Sequence, residues 1–286
     1  IENVTGSSSN DVLNGLGGVV NVMSGGQGDD IFTGEGIDVV NGGDGSDVFF
    51  GGQGSALNIN LATSSIETVW GSFVGDVMDG STASANLTMV GQGLTGGANA
   101  DTMMGGSGND FVYFRAGDII SGGTGSDWAV ATLSASGVTL NLAATGFENS
   151  WGSTSADTIS GAGSASAVVV IGDAGDDILT GGNVGDFLYG LGDNDTLNGG
   201  AGNDNLVGGL GIDTFAFGAG WGTDIVWDWS NGAEHFDLAG SGATAFAQLT
   251  VDQNFAGSGH ALVSFGGNQI LVVGAAGLIT SDDFSF

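Results

Sequence analysis

The chain has 286 residues, of which 32 are acidic and one, Arg115, is basic, for a formal net charge of −31. That balance excludes nucleic acid and anionic membrane surfaces as partners, since both need Lys or Arg to neutralise phosphate. Cysteine is absent, which removes disulfide frameworks and thiolate metal sites, and no apolar run reaches the roughly 18–20 residues of a membrane span.

The first block, near 1–65, opens on IENVTGSSSNDVLNG (1–15) and passes through GLGGVVNVM (15–23). It then carries two strict copies of G-G-x-G-x-D, ending at Asp30 and Asp47, with Asp38 nine residues before Asp47. A further frame, GGQGSA (51–56), has Ala56 where the acid should stand, so that position is expected to be vacant. The block closes on LNINLATSS (57–65), which alternates as a strand does.

The second block, near 66–146, restarts the long repeat as IETVWGSFVGDVMDG (66–80) and crosses a Ser/Ala-rich stretch at 81–90. Asp101 and Asp110, then Asp118 and Asp127, keep the nine-residue step, and VTLNLAATG (138–146) ends the block. The third block, near 147–213, begins FENSWGSTSADTISG (147–161) and, after a second Ser/Ala-rich stretch at 161–167, places Asp177, Asp186, Asp195, Asp204 and Asp213 nine apart without a break. Self-similarity at a fixed period is the mark of a repeat architecture, and a solvated Gly/Asp linker has no reason to hold a phase. The chain begins inside a block and without Met, and is expected to be a piece of a longer protein.

The chemistry of the nine-residue unit follows from its parts. Glycines at the first, second and fourth positions permit positive φ and expose carbonyls on a tight turn, and the aspartate adds two hard oxygens. Six to eight such oxygens in flexible geometry suit calcium, whereas magnesium prefers an octahedron that keeps several waters. No twelve-residue loop with a terminal Glu follows a D-x-D start, which excludes an EF-hand. The three residues after each aspartate form a short strand with one side chain inward. The inward residues are expected to be Phe32, Phe49, Met103, Val112, Ala129, Leu179, Leu188, Leu197, Leu206 and Phe215, with two units per coil and strands on opposing faces.

These residues resemble the RTX, or haemolysin-type calcium-binding, repeats of the form GGxGxDxUx. The resemblance covers most of residues 5–213 and implies an all-β fold, a parallel β-roll or β-solenoid with calcium between turns and a β-rich C-terminal cap. It implies calcium ligation, by several ions, at Asp30, Asp38, Asp47, Asp101, Asp110, Asp118, Asp127, Asp177, Asp186, Asp195, Asp204 and Asp213. The loop glycines expected to contribute carbonyls are Gly26, Gly28, Gly43, Gly45, Gly106, Gly108, Gly123, Gly125, Gly200, Gly202, Gly209 and Gly211. Ion occupancy is expected to be interrupted at Ala56, across 15–23 and in the stretches 81–90 and 161–167.

From Thr214 the glycine period stops, and 214–286 reads as a β cap. Ile225, Trp227 and Trp229 are predicted to share one face of a strand, while FAQLTVD and ALVSFGGNQILVVG read as further strands with a Gly-Gly or Gly-Asn turn. A solenoid needs an end with different chemistry, because its last coil otherwise exposes core and strand edges. The phrase GTDIVWDWSNGAEHFDL (222–238) and the closing SDDFSF resemble the C-terminal region of type I secreted RTX proteins. That resemblance implies the type I secretion machinery as a partner during export, and a secreted, extracellular or cell-surface location.

The inventory for acid–base chemistry is small: Arg115, His235, His260, Tyr113 and Tyr189, with no serine in a G-x-S-x-G elbow. Catalysis is therefore not expected within this segment. Arg115 reads as a solvated or aspartate-paired charge and His260 as a polar turn residue. Trp70 and Trp151 hold equivalent places in the long repeat and are expected to pack at block boundaries. The function expected is a calcium-binding roll that folds after type I secretion as the structural and export module of a larger protein. The alternatives are a surface-layer, adhesin or filament subunit that self-associates through calcium, and the C-terminal module of a secreted hydrolase or toxin with its catalytic part upstream.

Overall fold

The computed structural model describes residues 2–52, 54–92, 100–230 and 233–286. Gln53 of the GGQGSA frame, and Asn231 and Gly232 of the tail phrase, lie outside the described residues.

Each repeat unit gives a short strand and a tight turn. In strands such as Phe111–Tyr113, Ile178–Thr180 and Thr196–Asn198 only the central residue is buried, because successive Cβ atoms point to opposite faces. The inward residues read from sequence are the core: Phe49 is 1% exposed, and Phe32, Met103, Val112, Ala129, Leu179, Leu188, Leu197, Leu206 and Phe215 are all 0% exposed. Neighbouring strands are parallel and stack like on like, Phe32 on Phe49 and Leu188 on Leu206. In the regular stretches one coil advances 17 or 18 residues, which is two units. This is a parallel β-roll.

Residues 1–134 with 145–147 form one compact unit, and residues 135–144 with 148–286 form the other. In the first, one sheet runs in the order Val12–Asn14, Ile31–Gly34, Val48–Gly51, Thr68–Trp70, Thr88–Val90, Phe111–Tyr113, Trp128–Val130. A 3-stranded sheet (Glu2–Thr5, Asn21–Gln27, Val39–Asp44) and a 4-stranded sheet from Asn58–Asn60 to Ile119–Ser121 also belong to this unit. In the second unit, a 7-stranded parallel sheet runs from Thr139–Asn141 to Phe284–Ser285. Its partner sheet starts at Asn149–Trp151 and Val169–Ala174 and continues to Thr223–Val226.

The turns stack backbone on backbone, and this is where glycine is required. Gly43 (φ 115°) and Gly45 (φ 143°) lie against the carbonyls of Gly26 and Gly28 in the turn before, and a Cβ at either position would strike them. Single helical turns, Leu61–Ser64 and Leu142–Thr145, replace a repeat loop at the two β-like phrases.

The parallel stacking extends into the tail through Thr223–Val226 and His235–Asp237. Asn268–Val272 pairs parallel to Thr223–Val226 and antiparallel to Ala261–Phe265, which pairs antiparallel to the edge strand Thr250–Asp252. Gly266 (φ 60°) and Gly267 (φ 91°) make the hairpin turn, as two left-handed residues must in a type I′ turn. Two expectations are corrected here. The strand ends at Val226 and its inward residues are Asp224 and Val226, so Trp227 is 50% exposed while Trp229 is buried; the face read from Ile225, Trp227 and Trp229 does not exist. Trp70 and Trp151 are on the outer face, each more than a third exposed, and Trp70 stacks on Phe50 with ring centroids 6.0 Å apart. They sit at the outward end of three-residue strands, where the alternation sends them to solvent.

Candidate metal centre

The acids of successive coils form ladders, and each carboxylate has two oxygens with different fates. One oxygen accepts the backbone amide of the equivalent residue in the coil before. Asp11 N donates to Asp30 Oδ1 at 2.8 Å, Asp30 N to Asp47 Oδ1 at 2.8 Å and Asp47 N to Glu67 Oε2 at 2.9 Å. In the second unit Asp157, Asp177, Asp195 and Asp213 repeat the pattern at 2.7–2.9 Å on one side, and Asp186, Asp204 and Asp224 at 2.8–3.0 Å on the other. The ladder satisfies amides that a tight turn would otherwise leave buried and unpaired.

The other oxygen decides the chemistry. Oδ2 of Asp30, Asp47, Asp177, Asp195, Asp204, Asp213 and Asp224 is buried with no hydrogen-bond partner. A buried charged acceptor without a partner is costly, so these oxygens need a cation or a proton. Asp30 Oδ2 and the Gly42 carbonyl of the next turn both converge on Gly25, where a Cβ would strike them; Asp177 Oδ2 with the Gly190 carbonyl, and Asp195 Oδ2 with the Gly208 carbonyl, do the same at Gly172 and Gly190. Oxygens of like sign converging without a donor between them fit a hard cation. Among the described residues no three His, Cys, Asp or Glu side chains converge on one point, so backbone carbonyls must supply most of any coordination shell. Carboxylate plus carbonyl oxygen at adaptable geometry is the donor set of calcium.

Burial pushes Asp177 and Asp195 up to about 7, opposed by the amide each accepts and reinforced by neighbouring acids; Asp101 is likewise pushed to about 7 and Asp204 to about 6. Asp224, at the cap, is pushed to about 8 by the same cause. The carboxylates of Asp47 and Asp213 are also raised by burial.

Other acids read from sequence lie in the ladders with both oxygens engaged. Asp110 Oδ2 accepts Gly106 N at 2.8 Å, Asp186 Oδ2 accepts Gly182 N at 2.5 Å, and in the shorter turns Asp38 and Asp118 accept Glu35 N and Arg115 N at 2.8 Å. The vacancy falls one residue from its expected place: Leu57, not Ala56, occupies the ladder, donating its amide to Asp76 Oδ1 at 2.6 Å. Leu87 and Val168 stand at ladder positions too, below Asp110 and Asp186. Five ladder acids were not read from the nine-residue pattern: Asp11, Asp76 and Asp157 follow Gly-Ser rather than Gly-Gly, Glu67 has the wrong side-chain length, and Asp224 follows an irregular loop. The recurrence of G-S-x-x-x-D in the long repeat was the available signal for the first three. In several coils the residue before the acid forms a second ladder, for instance Ser46 N to Asp29 Oδ1 at 2.9 Å and Ser126 N to Asn109 Oδ1 at 2.9 Å, which gives Asn and Asp a role at that variable position.

The family model of the RTX calcium-binding nonapeptide repeat matches residues 1–32, 23–55, 94–112, 151–187 and 180–215. The repeats of this chain belong to the RTX calcium-binding family. An RTX turn is thus a structural calcium-binding element. Among solved structures, the fold is similar to the AlgE6R3 subunit of the Azotobacter vinelandii mannuronan C5-epimerase, at 24% identity and a TM-score of 0.26 over 46% of this chain and 80% of that one. It is also similar to the extracellular lipase LipA of Serratia marcescens, at 19% identity and a TM-score of 0.27 over 100% of this chain; this chain spans 40% of that lipase. No curated protein matches.

Arg115, the one basic side chain, donates Nε to the Leu133 carbonyl at 3.2 Å, and His260 Nδ1 accepts the Gly274 amide at 3.0 Å. Both contacts are structural.

Proposed function

We propose that this segment is the calcium-dependent folding and export module of a larger secreted protein, with Asp30, Asp47, Asp177, Asp195, Asp204 and Asp213 as its metal-facing acids. The observation that carries it is the set of buried, unpartnered Oδ2 atoms facing carbonyls of the next turn. A chain of charge −31 repels itself until cations neutralise it, and each short strand adds only one inward side chain to its core. Folding and ion binding are then one event. Sites of extracellular modules bind calcium at about 10⁻⁴–10⁻³ M, so low cytosolic calcium would leave the chain unfolded and threadable through a type I exporter, and the outside medium would fold it. Residues 214–286 close the roll and carry the export signal in this reading.

Sedimentation velocity of metal-free protein across a calcium titration tests this. An extended, slow species converting to a compact monomer is the expected result. An unchanged sedimentation coefficient at millimolar calcium would refute the reading, and conversion to very large particles would favour a self-associating surface subunit instead.

A further inference from the structure

Apart from the shorter turns at Asp38 and Asp118, the acid-bearing turns named above fall into two backbone states, and the residue four places before the acid separates them. In one state that residue is left-handed, as at Gly26 (φ 120°), Gly43 (φ 115°), Leu191 (φ 82°) and Gly209 (φ 110°), and the acids of the same turns, Asp30, Asp47, Asp195 and Asp213, keep an unpartnered Oδ2. In the other state it lies outside the left-handed region and its amide turns inward onto the acid.

Three turns of the second kind begin Gly-Ser. Ser7 N donates to Asp11 Oδ2 at 2.5 Å and Ser7 Oγ at 2.9 Å. Ser72 N donates to Asp76 Oδ2 at 2.5 Å and Ser72 Oγ to Oδ1 at 2.7 Å; Ser153 N donates to Asp157 Oδ2 at 2.6 Å and Ser153 Oγ to Oδ1 at 3.0 Å. Each hydroxyl in turn accepts the amide two residues on, from Ser9, Val74 and Ser155. Ser72 is 2% and Ser153 0% exposed, so the hydroxyl fills the inside of its turn. Two donors then point at the carboxylate where a cation would otherwise face it, and a carboxylate so saturated has little left to offer a metal.

We propose that Ser7, Ser72 and Ser153 take the place of calcium in their turns, giving one calcium-independent stitch at the head of each long repeat. The inference rests on the calcium reading of the other turns. It makes the roll a mixture: turns that need the ion, and fixed turns that close by hydrogen bonds at any calcium concentration, on which the ion-dependent coils stack.

Native mass spectrometry of the whole calcium-loaded chain tests it by counting ions. Asp76→Asn and Asp157→Asn should keep the wild-type number, whereas Asp47→Asn and Asp195→Asn should each lose one. Should the first pair fail to fold, Ser72→Ala and Ser153→Ala remove only the hydroxyl and should also keep the number. The double change Ser153→Gly with Ser155→Gly, which writes G-G-T-G-A-D, should gain one ion. Loss of an ion in Asp76→Asn or Asp157→Asn, or no gain in the double-glycine variant, would overturn the proposal. A wild-type chain that binds no calcium would refute the calcium reading itself, a different outcome.

Discussion

The amide of Asp177 donates to Oδ1 of Asp195 at 2.8 Å, while Oδ2 of Asp195 is buried and has no partner. One carboxylate therefore joins two coils with one oxygen and faces the inter-turn space with the other. The two roles can be separated by mutation.

Asp195→Asn keeps an oxygen for the Asp177 amide and removes the charge, so it should raise the calcium midpoint of folding. Asp195→Ala also strands that amide in the interior, an added cost of about 1–3 kcal/mol. The ranking expected in a circular-dichroism titration is wild type lowest, Asn intermediate and Ala highest. Equal midpoints for Asn and Ala would show that the ladder bond contributes nothing.

Much of this was legible in the sequence because the repeat is strict. The period of nine fixes which residue points inward, and Phe32 through Phe215 follow it because a three-residue strand has only one inward position. The ladders were not legible, since they join residues 17 to 25 apart through side chain to backbone bonds that no local spacing reveals. Nor could the pattern tell that Asp110, in the strict copy GGSGND, has its Oδ2 engaged by Gly106. That turn stacks on the coil in which Leu87 replaces the acid, so its environment is set by a different repeat. Trp227 and Trp229 were misplaced because alternation was extended past Val226, where the strand stops.

Acidification should have opposite effects with and without metal. In the folded, metal-free roll, burial lifts Asp177 and Asp195 from 3.8 to about 7 and Asp204 to about 6. A carboxylate raised on folding stabilises the fold fully below its unfolded value and loses that contribution as pH rises through the folded value. Calcium-free protein should therefore gain β-structure as pH is lowered from about 8 towards 4, the gain beginning near 7 and building down to about 4, while calcium affinity falls over the same window as protons compete. A metal-free spectrum independent of pH would contradict this.

Leu191 adopts φ 82° at a position where the strict repeats, as at Gly26, Gly43 and Gly209, use glycine, and its side chain is 39% exposed. Leu191→Gly should relieve the left-handed backbone and stabilise the loaded roll by up to about 1 kcal/mol. Gly209→Ala, one coil on, should do the reverse, because its φ is 110° and the new Cβ would strike the Leu191 carbonyl. Thermal denaturation in excess calcium reads both signs; a destabilised Leu191→Gly would refute the strain argument.

Leu206 is 0% exposed and stacks on Leu188 in the core, whereas Ile178 is 52% exposed on the outer face. Leu206→Ala should cost about 2–5 kcal/mol, and Ile178→Ala well under that. Similar losses for the two in calcium-saturated denaturant melts would mean that the inward row of Leu188 and Leu206 is not the core.

The most direct test of the account is far-UV circular dichroism of the metal-free wild-type chain at neutral pH, titrated with calcium and, in parallel, with magnesium. A disordered spectrum that converts cooperatively to β-structure with calcium, and not with magnesium at equal concentration, is the predicted result. A full β spectrum in the presence of chelator, unchanged by calcium, would contradict the claim that the buried aspartates exist to hold the ion.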